Sequence, residues 1–98
     1  MAHRLIWAPV ARQDLRDLVA YIGENDPQAA GEFARAVFRA IERLAQFPRS
    51  GRQVPEFADP MIREVIRRPC RIVYRVQSGA EIVEIARVWH AARGTPEL

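Results

Sequence analysis

The chain has 98 residues, of which 49% are hydrophobic, and fifteen basic against twelve acidic side chains give a formal net charge of +3. That length supports one hydrophobic core, so residues 1–98 are expected to form a single domain. No apolar run approaches the roughly 20 residues of a bilayer-spanning helix, and MAHRLIWAPVAR lacks the apolar stretch of a secretion signal, so a cytoplasmic protein without a membrane partner is expected.

His3–Trp7 (HRLIW) is short and apolar and reads as a first strand, ended by Pro9. Pro is tolerated in the first turn of a helix, where its missing N–H costs nothing. Val10–Gly23 then has helical spacing, with Ala11, Leu15, Leu18, Val19 and Ile22 on one face. Asn25-Asp26-Pro27 breaks it, and Asp26 can cap a second helix that has Pro27 in its first position. That helix is expected over 27–47. Ala30, Phe33, Val37, Ile41 and Leu44 line its apolar face, widened by Ala34 and Phe38. So short a connection makes the helices an antiparallel hairpin.

Residues 47–60 (FPRSGRQVPEFADP) contain three Pro and one Gly and read as a long ordered loop or one turn of helix. Met61–Arg68 alternates as a strand, and Arg68-Pro69-Cys70 is a break. Ile72, Tyr74 and Val76 alternate with Arg71, Val73, Arg75 and Gln77, the period of a further strand. Ser78-Gly79 is a turn, and Gly79 is expected to supply the positive φ of a tight hairpin. Ile82–Trp89 returns as a strand that is apolar on both faces, hence central in its sheet. The expected architecture is α+β: an N-terminal strand, an antiparallel helical hairpin, then a three-stranded antiparallel meander that the first strand can join. Ile72, Tyr74 and Val76 should face the helices, with Arg71 and Arg75 on an open face and Arg63 and Arg67 joining them if the register agrees.

All fifteen basic residues are Arg. Residues 1–47 hold six Arg and six acids, whereas residues 48–98 hold nine Arg and six acids, so the sheet half carries the whole excess charge. This suggests an anionic partner on the sheet side. Arg35, Arg39 and Arg43 recur at i+4 along the second helix, either as a solvated stripe supported by Glu32 and Glu42 or as a docking edge for an acidic segment. A metal site is not supported: His3 and His90 lie far apart in the chain, and Cys70 is alone. Cys70 is expected to be a buried small residue. No cofactor fingerprint appears, and Ser50 and Ser78, both in turns, build no nucleophilic triad. What remains is a sheet face with several Arg and His90 nearby. Arg could neutralise phosphate there and His90 could move a proton, with Glu56, Glu64 or Glu84 as a partner acid. The alternative role of His90 is structural, hydrogen-bonded to backbone at the strand end.

The segments IWAPVARQDLRDLVAYIGENDPQAA (6–30), LAQFPRSGRQVPE (44–56), IRE (62–64), RIVYRV (71–76) and EIARVWHAAR (84–93), in this order and spacing, resemble the ParE branch of the ParE/RelE superfamily of bacterial type II toxins. The resemblance covers nearly the whole chain and implies a β-α-α-β-β-β fold. It also implies a ParD-like antitoxin whose C-terminal part wraps the toxin. Here that would place the antitoxin near Leu18, Tyr21 and Ile22, the Arg35, Arg39 and Arg43 edge, and the sheet edge. RelE-like members cleave mRNA in the ribosome with Lys, Arg and a C-terminal Tyr or His-Tyr, whereas this chain has no Lys and no Tyr after Tyr74. His90 and Arg93, in HAAR, match the ParE pattern better, and ParE-like members bind DNA gyrase without bond chemistry of their own.

Three readings follow from the resemblance. The first is a gyrase-directed toxin, with Arg52, Arg63, Arg75, Arg87, His90 and Arg93 as candidate contacts. The second is a ribosome-dependent endoribonuclease using Arg71, Arg75, Arg87 and His90. The third is an inactive toxin kept for antitoxin binding and autoregulation.

Overall fold

The computed structural model describes residues 2–98. Strand β1 (Arg4–Trp7) leads into helix α1 (Pro9–Gly23) and helix α2 (Pro27–Leu44), followed by β2 (Arg52–Gln53), β3 (Ile62–Arg67), β4 (Cys70–Gln77) and β5 (Ile82–His90). The sequence places both helix starts because each has Pro in its first turn, and Asp26 Oδ1 accepts from the Ala29 N–H at 3.0 Å. Such a cap contributes about 1 kcal/mol. Among the described residues, no helix is long and apolar enough to cross a membrane.

The sheet has five strands in the order β1-β5-β4-β3-β2. The expected meander β3-β4-β5 is its centre, and β1 joins it parallel to β5 through Trp7 opposite Ile85. Beyond the expected strands, the 47–60 segment supplies β2, whose Arg52 and Gln53 oppose Glu64 and Arg63. Both β2 side chains are exposed, so no alternation marks it. The hairpin turn also differs from expectation: Ser78–Ala80 form one turn of 3-10 helix, and Glu81, with φ 52°, is its left-handed residue instead of Gly79.

The helices pack on one sheet face. Ala11, Leu15 and Leu18 of α1 and Val37, Ala40, Ile41 and Leu44 of α2 meet Ile72, Tyr74, Val76, Val83, Ile85 and Val88. Burying a side chain such as Ile41 or Ile72 contributes about 1.5–3 kcal/mol. Phe38 stands apart from this core: it is 48% exposed and meets Trp7 at a ring separation of 5.9 Å. Cys70 is fully buried at the start of β4, and burial pushes its thiol up to about 12.

One irregularity sets the faces of β5. Tyr74 lies opposite Ile85, but Val73 lies opposite Arg87, so Ala86 is an extra residue in the strand. A bulge of this kind reverses the alternation beyond it. Without it Arg87 would point at the helices. With it, Val88 enters the core and Arg87 turns to the opposite face.

Candidate functional site

The register places Ile62, Glu64 and Ile66 of β3, Arg71, Val73 and Arg75 of β4, and Glu84, Arg87 and Trp89 of β5 on the face away from the helices. Arg71 and Arg75 therefore lie on the expected side, but that face is not open. Val73 is fully buried, Glu64 and Trp89 are 1% exposed, and Arg71 is 9% exposed. Arg63 and Arg67 do not join them, because they oppose Tyr74 and Cys70 and so lie on the helix side of β3.

The cations of this face are held by carboxylates. Arg71 donates Nε to Glu64 Oε1 at 2.6 Å and both terminal nitrogens to Glu56 at 2.7 and 2.8 Å. Its hydrogen bonds hold the Glu56 carboxyl down to about 2, and the two acids raise the Arg71 guanidinium above its ordinary value. Glu64 also pairs with Arg52 at 2.7 Å. Arg75 pairs with Glu84, its direct neighbour across the sheet, at 2.9 Å. Each of the three proposed partner acids is thus engaged by an Arg of the same cluster. The C-terminal tail completes the cover: Arg71 Nη1 and Trp89 Nε1 both donate to the Gly94 carbonyl, and Pro96 is buried.

The accessible feature lies at the other margin of β5. Strand β1 is four residues long and its pairing ends at Ile85, which leaves the later part of β5 with no strand on that side. Helix α1 runs along this margin. Asp14 caps the exposed edge by accepting from the Val88 N–H at 3.0 Å, while its two oxygens take Arg87 at 2.8 and 2.9 Å. The Asp14 bonds raise the Arg87 guanidinium above its ordinary value. Asp14, Asp17, Leu18, Tyr21, Val88, His90 and Arg93 line a groove of about 280 Å³. Its walls are mixed: Tyr21 is 66% exposed, Leu18 supplies apolar floor, and Arg93 brings positive charge.

His90 Nδ1 accepts the Ala92 N–H at 3.1 Å, which starts the 3-10 turn Ala91–Arg93. This is the backbone-bonded role named as the alternative to proton transfer. The turn swings Arg93 over the Trp89 ring at 4.0 Å, and Arg87 stands 4.7 Å from the same ring. Such guanidinium–aromatic stacking contributes about 0.5–2 kcal/mol and orients the charge.

The candidate residues therefore divide. His90 and Arg93, expected to touch a target, share the groove with Leu18 and Tyr21, expected to touch an antitoxin; Ile22 is half-buried beside them and outside the lining. Arg52, Arg75 and Arg87 are paired with acids. Arg63 donates to the Gly51 carbonyl at 2.9 Å in the loop before β2. Arg35, Arg39 and Arg43 lie exposed on α2, with no ion pair to Glu32 or Glu42. Asp14 and Asp17 were missed by sequence reasoning. No local signal marks Asp14, since its partner lies 73 positions away.

A sheet of this order, with a helical hairpin on one face and a groove where the short first strand ends, is the architecture of small type II toxins. It superposes with TM-score 0.74 on a chain of the chromosomal ParDE toxin–antitoxin system of P. aeruginosa, at 21% identity over 91% of this chain and 96% of that one. A chain of the RelBE2 toxin–antitoxin complex of Mycobacterium tuberculosis gives 0.65, at 22% identity over 92% and 99%. The sequence matches the family described as "ParE toxin of type II toxin-antitoxin system, parDE" over residues 5–94, and the chain belongs to that family. It is 34% identical to toxin RelE2 of Caulobacter vibrioides over 92% of this chain and 97% of that protein. It is 30% identical to the putative toxin Y4kP of Sinorhizobium fredii over 97% and 95%.

Proposed function

We propose that this type II toxin acts in the cytoplasm by binding DNA gyrase and blocking replication, and that a ParD-like antitoxin neutralises it. The observation that carries the choice over RNA cleavage is the pairing of the sheet arginines. Arg71, Arg75 and Arg87, the cations an endoribonuclease would use, each hold a carboxylate. An Arg already neutralised by an acid offers little stabilisation to the extra charge of a phosphoryl transition state. His90, the remaining candidate, spends one ring nitrogen on the Ala92 N–H. The site therefore favours binding over bond chemistry.

The groove between α1 and the uncovered part of β5 is the surface we assign to antitoxin. It offers an exposed phenol, an apolar floor and an unpaired Arg93 beside a strand margin, which suits an extended or helical segment. Its solved neighbours are chains of toxin–antitoxin systems, which supports a partner of that kind. The test is induction of the chain without antitoxin, with pulse labelling of DNA and protein synthesis and a cleavage assay on purified gyrase. DNA synthesis should stop first, and cleaved gyrase–DNA complex should accumulate. Protein synthesis stopping first, with cut mRNA, would replace this reading by the ribonuclease one.

A further inference from the structure

A second concave surface lies on the other side of the fold, between α2 and β3. Ala40 and Arg43 of α2, Ser50 of the following loop, and Val65 and Arg67 of β3 enclose about 230 Å³. At about 30 Å³ of liquid per water molecule, that volume takes a tetrahedral anion with part of its hydration. No carboxylate lines it. Glu64, next to Val65 in β3, points to the opposite sheet face and is buried against Arg71 and Arg52.

The charge here is uncompensated. Only Arg52, Arg71, Arg75 and Arg87 form ion pairs among the described residues, so neither Arg43 nor Arg67 is neutralised. Arg67 spends one nitrogen on its neighbour's carbonyl, that of Ile66, and keeps its charge free. Arg63 adds to the same side of β3. It ties down the loop around Ser50 by donating to the Gly51 carbonyl at 2.9 Å, and its buried Nε has no partner. Arg39 lies one turn before Arg43 on α2, a rise of about 6 Å. That step is comparable to the separation of successive phosphates along a strand.

We propose that this cleft binds the phosphodiester backbone of nucleic acid. One phosphate sits between Arg43, Arg67 and the Ser50 hydroxyl, and the next lies against Arg39. Two planar guanidiniums approaching from separate elements match the two unesterified oxygens of a phosphodiester, and the serine hydroxyl donates a third bond. This site is separate from the antitoxin groove and does not depend on gyrase being the target.

The test is fluorescence anisotropy of the purified full chain with labelled duplex DNA and single-stranded RNA of equal length, from 50 to 200 mM salt, with polyglutamate as a competing polyanion. Binding should weaken with salt, and the double variant Arg43→Gln, Arg67→Gln should lose affinity about tenfold or more and flatten the salt slope by about two phosphates. Ser50→Asp, which leaves both arginines in place, should show a similar loss. A control of equal charge change, Arg12→Gln with Arg16→Gln, should lose much less. Circular dichroism confirms that each variant is folded. No binding at 50 mM salt, an equal loss in the control pair, or displacement by polyglutamate as effective as by unlabelled DNA would each overturn the proposal. Which of DNA and RNA binds more tightly identifies the source of the phosphate.

Discussion

Asp14 and Arg87 lie 73 positions apart and meet in a two-bonded carboxylate–guanidinium pair, with one Asp14 oxygen also holding the Val88 N–H. One side chain of α1 thereby fixes β5 just beyond its bulge, and both partners are about seven-eighths buried. Removing one member of a largely buried pair leaves the other charge uncompensated, a cost of about 3 kcal/mol. Asp14→Ala should therefore lower the unfolding free energy by roughly that amount. Asp14→Asn, which can still accept from Val88, should cost about half as much. Urea denaturation checks both, and a change under about 0.5 kcal/mol in Asp14→Ala would show that the pair contributes little.

Glu56 predicts an acid dependence. Its hydrogen bonds to Arg71 depress its folded value from 4.5 to about 2. A depressed carboxylate contributes stability that is present above its unfolded value and is lost as pH falls through the folded one. The window is thus from about pH 4.5 down to about pH 2. Melting temperature measured across that window should fall less steeply in Glu56→Gln than in the parent. Parallel curves would mean that the Arg71 bond does not distinguish the charged form.

Gly51 is required by proximity. Its N–H donates to the Tyr74 hydroxyl at 3.0 Å, and an added Cβ would lie 2.5 Å from the Glu64 carbonyl oxygen and 2.6 Å from the Tyr74 oxygen. Because backbone blocks one side, Gly51→Ala should cost about 2–3 kcal/mol. Gly79 has nothing within 4 Å, and Gly79→Ala should stay within about 0.5 kcal/mol. Equal melting temperatures for the two variants would contradict this close approach.

Tyr21 separates binding from folding. It is 66% exposed in the groove, so Tyr21→Glu should leave stability within about 0.5 kcal/mol. If the groove seats antitoxin, the same change should weaken the complex by about tenfold or more, or at least 1.4 kcal/mol. Isothermal titration with the cognate antitoxin reads this directly. Unchanged affinity would move the antitoxin off this surface.

The helices and main strands were legible because each is set by local chemistry. Pro9 and Asp26-Pro27 start the helices, and Ile72, Tyr74 and Val76 mark their buried face by alternation. Strand β2 was not legible, since two exposed residues carry no period. Phe38 matched the helix face in spacing but lies at its border, where Trp7 meets it. The candidate site was legible only in part. His90, Arg93, Leu18 and Tyr21 could be named singly, but their meeting depends on where β1 stops. The pairings of Arg71 with Glu56 and of Arg87 with Asp14 join distant segments that no spacing rule connects. They turned an expected cationic surface into a largely neutralised one.

The extra residue at Ala86 means that β5 is written in two frames. Up to Ile85 the core letters fall on odd positions, and from Val88 they fall on even ones. Were the strand to alternate straight through Ala86 without the bulge, every later side chain would change face. Val88 and His90 would exchange sides with Trp89 and Arg87, and the groove, the Asp14 clasp and the stacked arginines would be dismantled together. One inserted residue thus sets the phase of the whole C-terminal quarter of the sheet.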